Sequence, residues 1–180
     1  MTQHATGVAR RWARALGRAC GVAAGMIAPI VLGAQTAARA PNPQRDSIIA
    51  MVQQFFDAMA ASDSALAAAT IHPDGMVFAF QPRRDSAMLV RSKLSDFPAS
   101  MVSNRSKLLE RMWEPTVHVH GPIAVVWTAY DFHVDGKFSH CGVDAFTLAR
   151  APSGWRIVNI AYTVERTGCA PSPLGPIKSP

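Results

Sequence analysis

The chain has 180 residues, 49% of them apolar, which is enough for one core of ordinary size and typical of a globular or exported protein. Its formal net charge of +6 raises nucleic acid as a partner, but Arg10, Arg11, Arg14, Arg18 and Arg39 all precede Pro41, with no acid among them. Setting these five aside from the eighteen basic residues leaves thirteen against twelve acids, a near-neutral body that argues against nucleic-acid binding.

The early arginines belong to a leader. A basic stretch from Arg10 to Arg18 precedes an apolar run from Ala19 to Ala34, then small residues through Ala40. The run falls short of the roughly 20 residues that span a bilayer, and Gly21, Gly25 and Pro29 weaken it as a permanent helix. Residues 1–40 therefore read as a signal peptide cleaved between about 34 and 40, with an uncleaved anchor as the alternative. Cleavage after Ala34 or Ala38 avoids a proline directly after the cut, and a mature periplasmic or secreted protein keeps no stable membrane insertion. Removing the leader also removes Cys20, leaving Cys141 and Cys169 as the remaining thiols in a compartment that permits a disulfide. The alternatives are that single intramolecular bridge or two unpaired cysteines.

From Asn42 onward the elements follow in order. Asn42-Pro43 has the form of an N-cap with proline at the first helical position, and Ile48, Val52, Phe55, Phe56 and Met59 recur at helical spacing. Ser62 or Asp63 can cap a short alanine-rich helix through Thr70, ended by the turn His72-Pro73-Asp74-Gly75. Met76 to Phe80 reads as a buried strand, while 81–104 holds a strand around Met88 to Arg91 and a helical turn near Asp96. Four strands then form a meander at about 107–120, 123–134, 137–150 and 155–166, with Asp135-Gly136 the strongest hairpin signal. Residues 41–170 are thus one α+β domain, a curved antiparallel sheet with its helices on one face. The proline-rich tail, 171–180, is expected to lie loose.

The two hairpins allow strand pairing to be counted. Asp135-Gly136 places Asp131 opposite His140 and Trp127 opposite Asp144, and the Ala151–Gly154 loop places His140 opposite Glu165 and Asp144 opposite Ala161. Alternation then gathers Val125, Trp127, Asp131, His140, Asp144, Phe146, Leu148, Ile157, Asn159 and Thr163 on one face. That face mixes aromatics with ionisable groups, as pockets do, and is assigned to the helix-facing, concave side. The alternative makes it a solvated rim or subunit contact, and a single bulge would reverse the assignment. On this register His140 lies between two carboxylates, which would favour imidazolium, and Asp144 beside Trp127 has a raised pKa. Cys141 falls opposite Val164, so a bridge to Cys169 requires the chain to fold back at Thr167-Gly168.

His118-Val119-His120 has a metal-compatible spacing, but Val117 and Val119 look inward and no third ligand is assured, so no metal site is expected. The chain contains neither a Gly-x-Ser-x-Gly elbow nor a glycine-rich phosphate loop, and no cofactor is expected.

The helix with Phe55-Phe56-Asp57-Ala58-Met59, the His72-Pro73-Asp74 turn and the block from Trp127 to Glu165 resemble the nuclear transport factor 2-like superfamily, specifically its exported SnoaL-like and lumazine-binding branch. The resemblance covers about residues 44–169. It implies a cystatin-like roll, a cone-shaped sheet around a small-molecule pocket, often in a homodimer. The family holds isomerases, cyclases, hydrolases, dehydratases and non-catalytic binders, so fold does not select an activity. Met76-Val77-Phe78-Ala79-Phe80 lacks the carboxylate that a steroid isomerase would carry there. The expected role is binding of a small hydrophobic molecule in a pocket lined by Phe55, Phe80, Trp127, Asp131, Phe146 and Asn159. The alternative is an isomerase, cyclase or hydrolase in which Asp144 moves a proton and His140 or Tyr130 polarises an oxygen.

Overall fold

A computed structural model describes residues 42–83 and 86–177; the leader lies outside the described residues. Three helices, α1 (Pro43–Ala61), α2 (Ser64–Thr70) and α3 (Phe97–Ser103), pack with six strands. The strands are β1 (Ile71–Arg83), β2 (Ser86–Lys93), β3 (Leu108–His120), β4 (Ile123–Val134), β5 (Lys137–Ala151) and β6 (Gly154–Thr163). They form one curved, unclosed sheet in the order β2-β1-β6-β5-β4-β3. Neighbours run antiparallel except β1 and β6, which are parallel.

Local chemistry sets the helix ends. The Asn42 side chain accepts from the Arg45 N–H at 3.1 Å, and Asp63 accepts from Leu66 N–H at 2.9 Å. Ser62 instead closes α1: at φ +54° its N–H reaches the carbonyls of Ala58 and Met59. The buried stripe of α1, Ile48, Val52, Phe55, Phe56, Ala58 and Met59, packs into the concavity of the sheet. Phe55 stacks on Phe97 of α3 at 4.7 Å and meets Phe146 of β5 edge-on. Each such ring contributes about 1.5–3 kcal/mol by leaving water.

The turn expected at His72–Gly75 is an excursion within β1 rather than a break before it. Ile71 pairs with Ile157 and Met76 with Asn159, so five steps along β1 match two along β6. Gly75 permits the close approach, since an added Cβ would lie 2.8 Å from the Val158 carbonyl oxygen. The segment 81–104 resolves into β2, a single 3-10 turn at Leu94–Asp96, and α3. At Asp135-Gly136 both φ angles are positive, 51° and 75°, as a two-residue turn of this type requires.

Two bulges revise the counted register. The pairing leaves the turn as expected, with Val134 opposite Lys137 and His133 opposite Phe138, but Ser139 is then extra and Phe132 faces His140. Likewise Leu148 pairs with Ile157, Val158 is extra, and Phe146 pairs with Ile160. Each one-residue slip turns the remaining side chains of one strand over relative to its neighbour. Asp144 therefore lies opposite Thr128 and Tyr162, and Asp131 opposite Cys141. Cys141 bridges Glu165 rather than Val164.

The disulfide Cys141–Cys169 is present, with Cα atoms 6.1 Å apart. Gly168, at φ +80°, supplies the fold-back that the bridge needs. Within the proline-rich tail, the Gly175 carbonyl accepts from Arg111 Nη1 at 3.0 Å.

Candidate functional site

Between α1, α3 and the sheet lies a cavity of about 330 Å³. Phe55, Phe56, Phe97, Phe132, Phe146 and Tyr162 make most of its wall aromatic, and the exposed Ser92 of β2 sits on its lining. Its polar groups are Glu110, Tyr130, His140 and Asp144. Four strands deliver the polar groups and Tyr162: Glu110 from β3, Tyr130 from β4, His140 and Asp144 from β5, and Tyr162 from β6.

Of the residues expected at the site, Phe55, Phe146, Tyr130, His140 and Asp144 line the cavity. Trp127, Asp131 and Asn159 do not, because the bulges at Ser139 and Val158 turn their strands over; Trp127 is 57% exposed on the outer face. Phe80 is also outside the cavity, 40% exposed, paired with Leu89 and Thr163. His118 and His120 are exposed, on the opposite side of β3 from buried Val117. Sequence reasoning missed Glu110, Phe132 and Tyr162. For Glu110 a signal existed: Leu108, Glu110 and Met112 alternate on β3, and a lone acid in an apolar row marks a group that needs a partner. For Phe132 and Tyr162 the face depends on the bulges.

Asp144 is 2% exposed, and its Oδ2 has no hydrogen-bond partner among the described residues. Burial pushes its carboxyl up to about 7, moderated by a hydrogen bond with Glu110. Glu110 is itself held well above the ordinary carboxyl range, first by desolvation and then by the charge and hydrogen bond of Asp144. Two carboxylates cannot both ionise at close quarters in an apolar setting, so the pair retains a shared proton.

The Tyr130 hydroxyl donates to the Thr163 carbonyl at 2.7 Å. Its phenol is raised by burial and then by the charges of Asp144 and Glu110, and Tyr162 is raised by burial, Glu110 and Asp144. His140 stacks on Phe132 at 4.8 Å and approaches Ser139 Oγ at 3.0 Å through Nδ1. Contrary to the counted register, its pKa is lowered, by burial first and by Arg166 second. The reason is geometric: Asp131 faces the other side of β4. His140 is a neutral imidazole at physiological pH and can accept or donate.

Asp131 belongs to a separate network. Arg111 binds it in a two-point fork, 2.8 and 2.6 Å, and His133 Nε2 lies 3.2 Å from Oδ1 without the alignment of a hydrogen bond. Burial acts to raise the Asp131 carboxyl, but the hydrogen bonds and charge of Arg111, aided by Ser172 and His133, outweigh it and hold it below its ordinary value.

An α+β roll with one deep aromatic pocket and a buried carboxyl pair defines a ligand-binding domain of the nuclear transport factor 2-like, cystatin-like fold. The chain belongs to the family described as "Putative lumazine-binding", which matches residues 43–163. Comparison with curated protein sequences finds no match. Among solved structures, it is similar to an NTF2-like superfamily protein from Salmonella enterica serovar Typhimurium, at 18% identity and TM-score 0.54, over 70% of this chain and 94% of that one. An NTF2-like protein from Cytophaga hutchinsonii shares 12% identity at TM-score 0.57, over 68% and 99% of the two chains. A Streptomyces avermitilis protein described as "a putative dehydratase from the NTF2-like family" shares 16% identity at TM-score 0.53, over 68% and 98%. At these identities the likeness concerns the fold.

Proposed function

We propose that this protein binds a small, largely hydrophobic molecule, and that it does so in the periplasm or outside the cell after loss of its leader. The observation that carries the reading is the aromatic cavity of about 330 Å³ lined by Asp144, whose Oδ2 is buried without a hydrogen-bond partner among the described residues. A buried polar atom without a partner is costly unless a ligand or water completes it. The disulfide is consistent with an oxidising compartment, and among the described residues no helix is long and apolar enough to cross a membrane. Small molecules released by denaturing the exported protein, and identified by mass spectrometry, test the binding reading. A compound should be released by the wild type and lost on filling the cavity with Val77→Trp. Release of the same compound from both proteins would defeat the reading.

A second reading, acid–base catalysis, is favoured by the shared proton. Asp144 near neutrality would take a proton from a substrate, Glu110 would return one, and His140 would steady the oxygen where charge develops. Deuterium exchange into a bound ligand in heavy water, abolished by Asp144→Asn with the fold intact, would support catalysis; no exchange would leave the protein a binder.

Apolar side chains exposed on the outer face, Ile123, Val125 and Trp127 of β4, support the expected homodimer. Sedimentation should show two copies, and Trp127→Arg should return a monomer.

A further inference from the structure

Apart from His140 and the proton shared by the carboxyls, the polar groups of the cavity offer a ligand acceptors. Asp144 Oδ2 is buried without a donor, and the Tyr130 O–H is committed to the Thr163 carbonyl, so Tyr130 offers a ligand lone pairs. No lysine or arginine lines the cavity. Arg111 points out, held by Asp131 and Gly175 on the other face. The titratable groups facing the carboxyl pair are Tyr130, Tyr162 and His140; α1, α3, β1 and β2 contribute none, only Phe55, Phe56, Met59, Phe97, Val77 and Ser92. A ligand acid would meet a negatively biased pair without a cation to compensate. A ligand cation would meet carboxylate oxygens in front and aromatic faces around it.

We propose that the cavity selects small organic cations, amines on an aromatic or alicyclic body, whose ammonium group sits at Asp144 and Glu110 with the body against the phenylalanines. The proposal rests on the reading of the cavity as a ligand site and specifies its chemistry. Binding expels the proton shared by the two carboxyls to solvent, because the ammonium replaces it as the group that holds the oxygens together. Affinity should therefore rise between about pH 6 and about pH 8, while the amine stays charged.

The test uses matched sets with one ring system and three head groups: tryptamine, tryptophol and indoleacetate, and naphthylethylamine, naphthylethanol and naphthaleneacetate. Calorimetry of the exported, oxidised protein should show each amine binding at least about tenfold more tightly than its alcohol, a net gain expected of a charge-assisted hydrogen bond. The acetates should bind weakest. Titration in two buffers of different ionisation enthalpy should show proton release on amine binding. Asp144→Asn should bring the ratio of amine to alcohol affinity down to about one. Alcohols or acetates that bind as well as the amines, with signals of Tyr130, Tyr162 and Phe146 shifting, would overturn the charge selection and leave the pocket reading standing. If no member of either set shifts those signals, both fall.

Discussion

Asp144 lies buried in an aromatic cavity, and the loss of water around it makes it harder to ionise once folded. The native state holds this proton more tightly than the unfolded chain does. Its contribution is therefore complete below the ordinary carboxyl pKa and is lost as pH rises from about 4 to about 7. Asp144→Asn should flatten that slope and make the protein more stable than wild type at pH 8 by on the order of 2 kcal/mol. Urea midpoints measured across pH check this, and parallel curves for the two proteins would refute it. Asp131 behaves oppositely: its lowered pKa adds stability that disappears as pH falls through the folded value. Because its fork with Arg111 is buried, Arg111→Ala should cost about 3 kcal/mol by leaving the carboxylate unpaired. The same substitution frees Gly175, so carboxypeptidase should trim the tail faster than in wild type.

The ladders of the sheet place these residues, and glycines mark where backbones meet. At Gly142 an added Cβ would run into the Thr163 carbonyl oxygen, the same oxygen that accepts from Tyr130. Gly142→Ala should destabilise by about 1–3 kcal/mol through overpacking and disturb the pocket wall. Gly136→Ala meets no atom within 4 Å, and its cost of about 1 kcal/mol should come from the positive φ alone, with the pocket undisturbed. Thermal unfolding with near-ultraviolet circular dichroism of the tyrosines separates the two. The starts of α1 and α2, the hairpin turns and the β3 to β5 boundaries were legible in the sequence, because caps, turn residues and period-two patterns are local. The bulges at Ser139 and Val158 were not. A bulge is a property of the pair of strands, decided by whichever register buries Tyr130 and Ile160 together.

On the scale of the molecule, one covalent link and one hydrogen bond, from the Arg111 side chain to the Gly175 carbonyl, tie the C-terminal segment to the outer face of the sheet. Cys141 and Cys169 are 28 residues apart, and removing the bridge by Cys141→Ala with Cys169→Ala should cost about 2–4 kcal/mol, mostly through freedom regained by the unfolded chain. Guanidinium unfolding of the oxidised protein against the double variant measures it, and equal midpoints would show that the bridge is incidental. The cavity lies on the opposite face, so ligand affinity should change little in the double variant.

Composition, caps and strand periodicity by themselves determined the α+β class and the order of the main elements, and they singled out Asp144, His140, Tyr130, Phe55 and Phe146, all of which line the cavity. These follow from short-range rules and from apolar residues that must be buried somewhere. Which carboxyl stands beside Asp144 was decided only by the tertiary structure. Glu110 lies two strands away, and single extra residues in β5 and β6 exchanged Trp127, Asp131 and Asn159 for Phe132 and Tyr162 at the cavity. The physical reason is that a strand has two faces one residue apart, and the choice between them belongs to the packing of the whole sheet against α1.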